Sequence, residues 1–144
     1  MADLKKIMIS IYGKQIDELG QEDEIRLITT GHYSTDKKGE RHRIEYDETD
    51  VSGVEGTHTS IVVHKNQVSI TRDGTTEGHM QLSAGKRYVS SFSTPAGVIE
   101  LGFFPTKVDV DLSESEGKVD LEYQMDIDGT LLGVNRLKVE YRAN

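Results

Sequence analysis

Apolar residues along this chain recur at every second position, between clusters of Gly, Asn, Asp and Ser. That period belongs to strands with one buried face, and the longer period of an amphipathic helix is almost missing. The first strand is expected over about Leu4 to Gly13, with Ile7, Ile9 and Ile11 on one face. Its partner covers about Asp23 to Ser34, where Ile25 and Leu27 repeat the alternation. Between them, Gln15 to Gln21 contains Gly20 and has no apolar spacing, so it reads as a loop rather than a helical turn.

A third strand, Arg41 to Asp50, places Ile44 and Tyr46 on a common face, and the loop Ser52 to Gly56 leads into a fourth, Thr57 to Lys65. After a short turn, a fifth strand carries Val68 and Ile70 inward and ends at Asp73-Gly74, a turn signal. Shorter strands follow at His79 to Ser83, Lys86 to Thr94 and Gly97 to Phe104. Beyond Pro105, a separate strand over Thr106 to Leu112 turns Val108, Val110 and Leu112 inward and Asp109 and Asp111 outward. In the last hairpin Val119, Leu121, Tyr123, Met125 and Ile127 face in, Asp128-Gly129 turns, and Leu137, Val139 and Tyr141 return.

Short strands with frequent turns and no helices to cover a parallel sheet leave sandwiches and up-and-down barrels. The hairpin-like connections favour an all-β, single antiparallel up-and-down closed barrel of about eight to ten strands, since a Greek-key sandwich needs long crossings. Residues 1–144 read as one domain.

Strand parity also carries polar side chains inward, where an unpaired group costs about 1–3 kcal/mol. Ile44 and Tyr46 continue to Glu48, Val68 and Ile70 to Arg72, Val108 and Val110 back to Thr106, and Leu137 and Val139 back to Asn135. Glu48 and Arg72 are expected to pair near the end bearing the Gly53 to Gly56 loop. Thr106 and Asn135 are expected near the opposite end, with Tyr123 between the groups. The pairing has two readings: an ion pair that closes one mouth, or an anchor in which Arg72 takes a ligand carboxylate or phosphate and Glu48 holds it beforehand.

Composition removes much other chemistry. There is no cysteine, hence no disulfide, thiolate metal site or cysteine nucleophile. Seventeen Lys and Arg against twenty-five Asp and Glu give a net charge of −8, which opposes nucleic acid and anionic lipid surfaces. The basic run Lys37, Lys38, Arg41, His42 and Arg43 reads as a solvated hairpin tip. The five histidines, at 32, 42, 58, 64 and 79, form no ligand-spaced pair and read as solvent-facing, so no metal is expected. Asp109 with Asp111, and Asp126 with Asp128, read as solvated strand faces. No nucleophile elbow, phosphate loop or dinucleotide fingerprint occurs, and no cofactor or catalytic residue is expected. Without a secretion signal or an apolar span, the expected location is cytoplasmic, with no membrane partner.

Thr30-Gly31-His32-Tyr33, Tyr46-Asp47-Glu48, Gly53 and Gly56-Thr57-His58-Thr59 together resemble the YwiB-like proteins, a bacterial family of unknown function. Arg72-Asp73-Gly74, Met80, Thr94-Pro95-Ala96-Gly97, Thr106, Tyr123 and Asn135 extend the resemblance over almost the whole chain. It implies a calycin-type, lipocalin-like barrel and no established activity. The expected function is then a non-catalytic binding module for a small amphipathic or anionic ligand, with Arg72 as anchor and Tyr46 and Tyr123 as walls. Two alternatives stand beside it: an interaction or homodimerising module with a side-chain-filled barrel, and an enzyme with Glu48 as general base. The chain is expected as a monomer or a homodimer.

Overall fold

In the computed structural model, residues 4–47, 57–74 and 78–144 are described. They form ten antiparallel strands: β1 (Lys5–Asp17), β2 (Glu22–Thr35), β3 (Arg41–Asp47), β4 (Thr57–His64), β5 (Gln67–Gly74), β6 (Gly78–Ser83), β7 (Tyr88–Thr94), β8 (Gly97–Leu112), β9 (Glu116–Ile127) and β10 (Thr130–Ala143). They make one sheet in the order β6-β5-β4-β3-β2-β1-β10-β9-β8-β7. Each adjacent pair in that order is consecutive in sequence except β1 and β10, whose pairing rolls the meander into a barrel, and the consecutive strands β6 and β7 are left as its edges. The two edges, β6 and β7, come together at a seam, where the Ser90 hydroxyl donates to the His79 carbonyl at 3.2 Å. The barrel is nearly closed, as the alternating pattern predicts. No helix of the described residues is long and apolar enough to cross a membrane.

The alternation decides which side chains meet. Ile7 and Ile9 of β1, Ile44 of β3, Ile61 and Val63 of β4, Val68 of β5, Leu82 of β6, Val119 and Leu121 of β9, and Val139 of β10 are fully or almost fully buried. One end of the barrel is plugged by aromatics. Tyr33 and Tyr141 stack with centroids 5.1 Å apart, Tyr33 shares a 2.7 Å hydrogen bond with His42 Nδ1, and the Tyr141 hydroxyl donates to the Ser113 carbonyl. Close approach fixes Gly31 of β2: a Cβ there would lie 2.2 Å from the Glu45 carbonyl oxygen and 2.6 Å from Ile9 Cδ1. At the β9–β10 turn, Asp128 and Gly129 have φ of 48° and 89°, the geometry of a two-residue hairpin that matches strand twist.

The structure corrects several readings. The first strand does not stop at Gly13 but runs to Asp17, because Gln15 and Ile16 keep their ladder partners on β2 and β10. Residues 97–112 are one strand instead of two, with an irregularity in its pairing to β9 between Pro105 and Lys107. The extra residue absorbs the missing proline donor and switches parity: Phe103 and Pro105 are buried before it, while Thr106 is exposed. Thr106 thus does not face inward, and its hydroxyl donates to the Glu122 carbonyl at 3.2 Å. Losing one strand from the count also reverses the direction of everything after it. Asn135 therefore lies at the same end as Arg72, not the opposite one.

Two surface readings change as well. His42 shares the inward parity of Ile44 and Tyr46 and is half-buried against Tyr33, so it is not part of a solvated tip. Burial pushes its pKa below the ordinary value, with the nearby Asp36 charge opposing. Asp126 is not free in solvent. Arg87 grips it with two hydrogen bonds, from Nε at 3.1 Å and Nη2 at 2.5 Å, lying across Gly102 of β8, where a Cβ would collide with both side chains. On the outer face of the same wall, Asp120 accepts from Lys107 at 3.1 Å and from Arg136 at 3.2 Å. Burial raises the Asp120 pKa, but those two cations outweigh it and hold the carboxyl below its ordinary range.

Candidate functional site

The filled core occupies only part of the barrel. Toward the end away from the Tyr33–Tyr141 plug, the inner wall opens into a cavity of about 540 Å³. Small-molecule sites commonly run about 300–1,000 Å³, so the space is of ligand size. Its walls come from many strands. Ile11 of β1, Leu27 of β2, Ile61 of β4, Ile70 of β5 and Leu137 of β10 line it with aliphatic groups. Tyr46, Met80, Phe103 and Met125 add broad, polarisable surface.

Polar groups reach the same space in an ordered way. Asp23, Gln15, Asn135 and Tyr123 stand opposite one another in register on β2, β1, β10 and β9, and all four line the cavity. Two residues further in, the corresponding positions are Ile25, Gly13, Leu137 and Leu121. The wall therefore passes from a polar row to an aliphatic one within a single strand repeat. Arg72, also a lining residue, belongs to a second row, Tyr46–Thr59–Arg72, across β3, β4 and β5.

Tyr123 is the most constrained of these groups. Its ring meets Phe103 edge-on with centroids 6.1 Å apart. Burial raises the hydroxyl pKa, and the positive charge of Arg72 partly offsets that rise. No hydrogen bond among the described residues reaches the Tyr123 hydroxyl, and the Asn135 amide donates to the Met125 thioether at 3.2 Å, a weak acceptor. Both residues are half-buried, and polar atoms with weak or no protein partners are left for water or a ligand to satisfy.

Of the residues singled out by parity, the structure brings Tyr46, Arg72, Tyr123 and Asn135 to one cavity. Thr106 lies outside it. Glu48, and with it the expected ion pair to Arg72, lies outside the described residues. Sequence reading missed Gln15 because Gly13 was taken as a strand end, and missed Asp23 because only apolar positions of β2 were followed inward. Extending the parity of Ile11 by four residues and of Leu27 backward by four finds both. Among the described residues, no three His, Asp or Glu side chains gather to hold a metal ion.

Comparison with known proteins agrees with this architecture. A family model described as Domain of unknown function (DUF1934) matches residues 9–139. The chain is 22% identical over 128 residues to the Uncharacterized beta-barrel protein YwiB of Bacillus subtilis (strain 168), covering 89% of this chain and 87% of that one. It superposes on the crystal structure of the ywiB protein from Bacillus subtilis with a TM-score of 0.81, at 19% identity over 98% of this chain and 93% of the other.

Proposed function

This chain belongs to the DUF1934 family of β-barrel proteins, and we propose that it is a non-catalytic binding module for a small amphipathic or anionic ligand held in the barrel mouth or interior. The observation that carries the reading is the cavity of about 540 Å³, aliphatic over much of its wall and reached by a guanidinium, an amide and a phenol. A barrel built only as a rigid module gains nothing from leaving those apolar walls unpacked, because apolar surface kept from burial forgoes about 25 cal/mol per Å². The calycin-like resemblance supports the same class at the level of fold.

The test is a neutral reporter that fluoresces on leaving water. N-phenyl-1-naphthylamine is expected to bind with one-to-one stoichiometry, and Leu137→Trp, which fills the cavity wall, is expected to abolish the signal while leaving the far-ultraviolet dichroism of a β-protein. A native protein that gives no enhancement refutes the reading. Organic extraction of protein purified from its host, followed by mass spectrometry, then identifies any resident molecule.

A further inference from the structure

The order of polar and aliphatic rows fixes more than the presence of a ligand. Resting on the binding reading above, we propose that the cavity takes a singly charged aliphatic acid inserted tail-first. Its head group would lie at the row formed by Gln15, Asn135 and Tyr123, with the Arg72 charge acting on the same space.

The argument is one of register. Asn135 and Tyr123 are cross-strand partners on the inner face of β10 and β9, and Gln15 stands next to Asn135 on β1. Directly inward of them come Leu137 and Leu121, and inward again the row Leu27, Ile11, Val139 and Val119, which meets the packed core. Four residues of strand separate the polar row from that floor, about 13 Å of extended chain. Along this wall an aliphatic tail of that length meets apolar side chains. A head group driven to the floor would instead face Ile11, Leu27 and Ile70 without a hydrogen-bond partner, a loss the row above avoids.

The chemistry of the row sets the class of head group. Tyr123 offers a donor that no hydrogen bond among the described residues uses, Asn135 offers an amide donor now given to a thioether, and Arg72 supplies positive charge to the same region. Two neutral donors beside a positive charge suit an oxyanion. Asp23 stands in the row itself, and the other charged lining residues besides Arg72, namely Lys14, Glu24 and Arg136, are ion-paired with Glu22, Arg26 and Asp120, so a second negative charge on the ligand meets Asp23 with no further cation to offset it. A carboxylate therefore fits better than a dianionic phosphate monoester.

Displacement of N-phenyl-1-naphthylamine by octanoate, octanol and octyl phosphate tests the chemistry at pH 7.5. Octanoate is expected to be the strongest competitor. Tyr123→Phe is expected to weaken it about tenfold, the usual effect of deleting one hydrogen bond to a charged acceptor, and to change octanol less than twofold. Asn135→Leu and Arg72→Gln are expected to act in the same direction. Orientation is read separately by adding a soluble gadolinium chelate to protein loaded with carbon-13 octanoate: the carboxyl carbon broadens before the terminal methyl.

Equal loss of octanoate and octanol on Tyr123→Phe, no loss of either, a tighter octyl phosphate, or the methyl carbon broadening first overturns this proposal. In all of those outcomes the reporter still binds, and the broader reading stands. If the reporter itself fails to bind the native protein, the broader reading falls instead. Melting curves of each variant identify any that fail to fold, and Tyr123→Phe, which removes only the hydroxyl, keeps the ring against Phe103.

Discussion

Leu121 and Leu137 are cross-strand partners on the inner face of the barrel, yet they live in different surroundings. Leu121 is fully buried in the packed core, whereas Leu137 is half-buried and lines the cavity. Truncating Leu121 to alanine removes three carbons from a packed site, about 2.4 kcal/mol of transfer free energy. A residual void of some 40 Å³ adds about 1 kcal/mol, for a total near 3.4 kcal/mol. Leu137→Ala enlarges a space that already exists, so no new void is charged to it. Only about half of the transfer free energy is lost, near 1.2 kcal/mol. The expected difference of about 2 kcal/mol is well above the error of urea denaturation followed by far-ultraviolet dichroism, with the slope checked for constancy. Equal losses at the two positions would show that the Leu137 end is packed as tightly as the Leu121 end. The account of a half-hollow barrel would then be wrong.

Other outcomes follow from single contacts. Gly31→Ala forces a Cβ onto the Glu45 carbonyl and Ile9, and thermal denaturation is expected to show a loss of about 3 kcal/mol, at the upper end for overpacking; a neutral result refutes the close approach of β2 and β3. Asp120→Asn keeps the shape but removes the charge shared by Lys107 and Arg136, and in urea melts it is expected to cost more than Asn at exposed Asp109 and less than Leu121→Ala. The His42 pKa is depressed in the folded state, so the unfolded chain takes up the proton first; this contribution is complete above about pH 6.5 and is lost as pH falls from there toward the folded value. The urea midpoint is expected to drop between pH 7.5 and pH 5.5 in the native protein and to drop less in His42→Gln; identical drops refute the assignment to His42. Gly102→Val, which pushes apart Arg87 and Asp126, is expected to lower the melting temperature in low salt more than Val placed at exposed Ser91 of the neighbouring strand.

The alternation of apolar residues was enough to read the architecture. Ile7, Ile9 and Ile11, Ile44 and Tyr46, Val68 and Ile70, and Val119 and Leu121 each fix one face of a strand, because a slip of one residue would put all of them in water. Short turns such as Asp128-Gly129 then leave a meander as the simple topology. Parity also pointed to Tyr46, Arg72, Tyr123 and Asn135 as inward polar or aromatic positions, and the structure brings all four to one cavity.

What the pattern did not contain was the behaviour at its interruptions. Pro105 looks like a strand break, but the ladder to β9 continues on both sides of a local irregularity, so β8 is one strand and Thr106 turns outward. Gly13 looks like an end, but β1 continues beside β2 and β10, which supply the hydrogen bonds that local sequence does not announce. Alternation is a local property carried by each strand, and the sequence by itself determined it. Which residues share a level of the barrel depends on strand count, register and closure, and those are settled only when distant strands pair. The half-hollow interior, the polar row above an aliphatic floor and the plug of Tyr33 and Tyr141 follow from that pairing, so only the tertiary structure decided them.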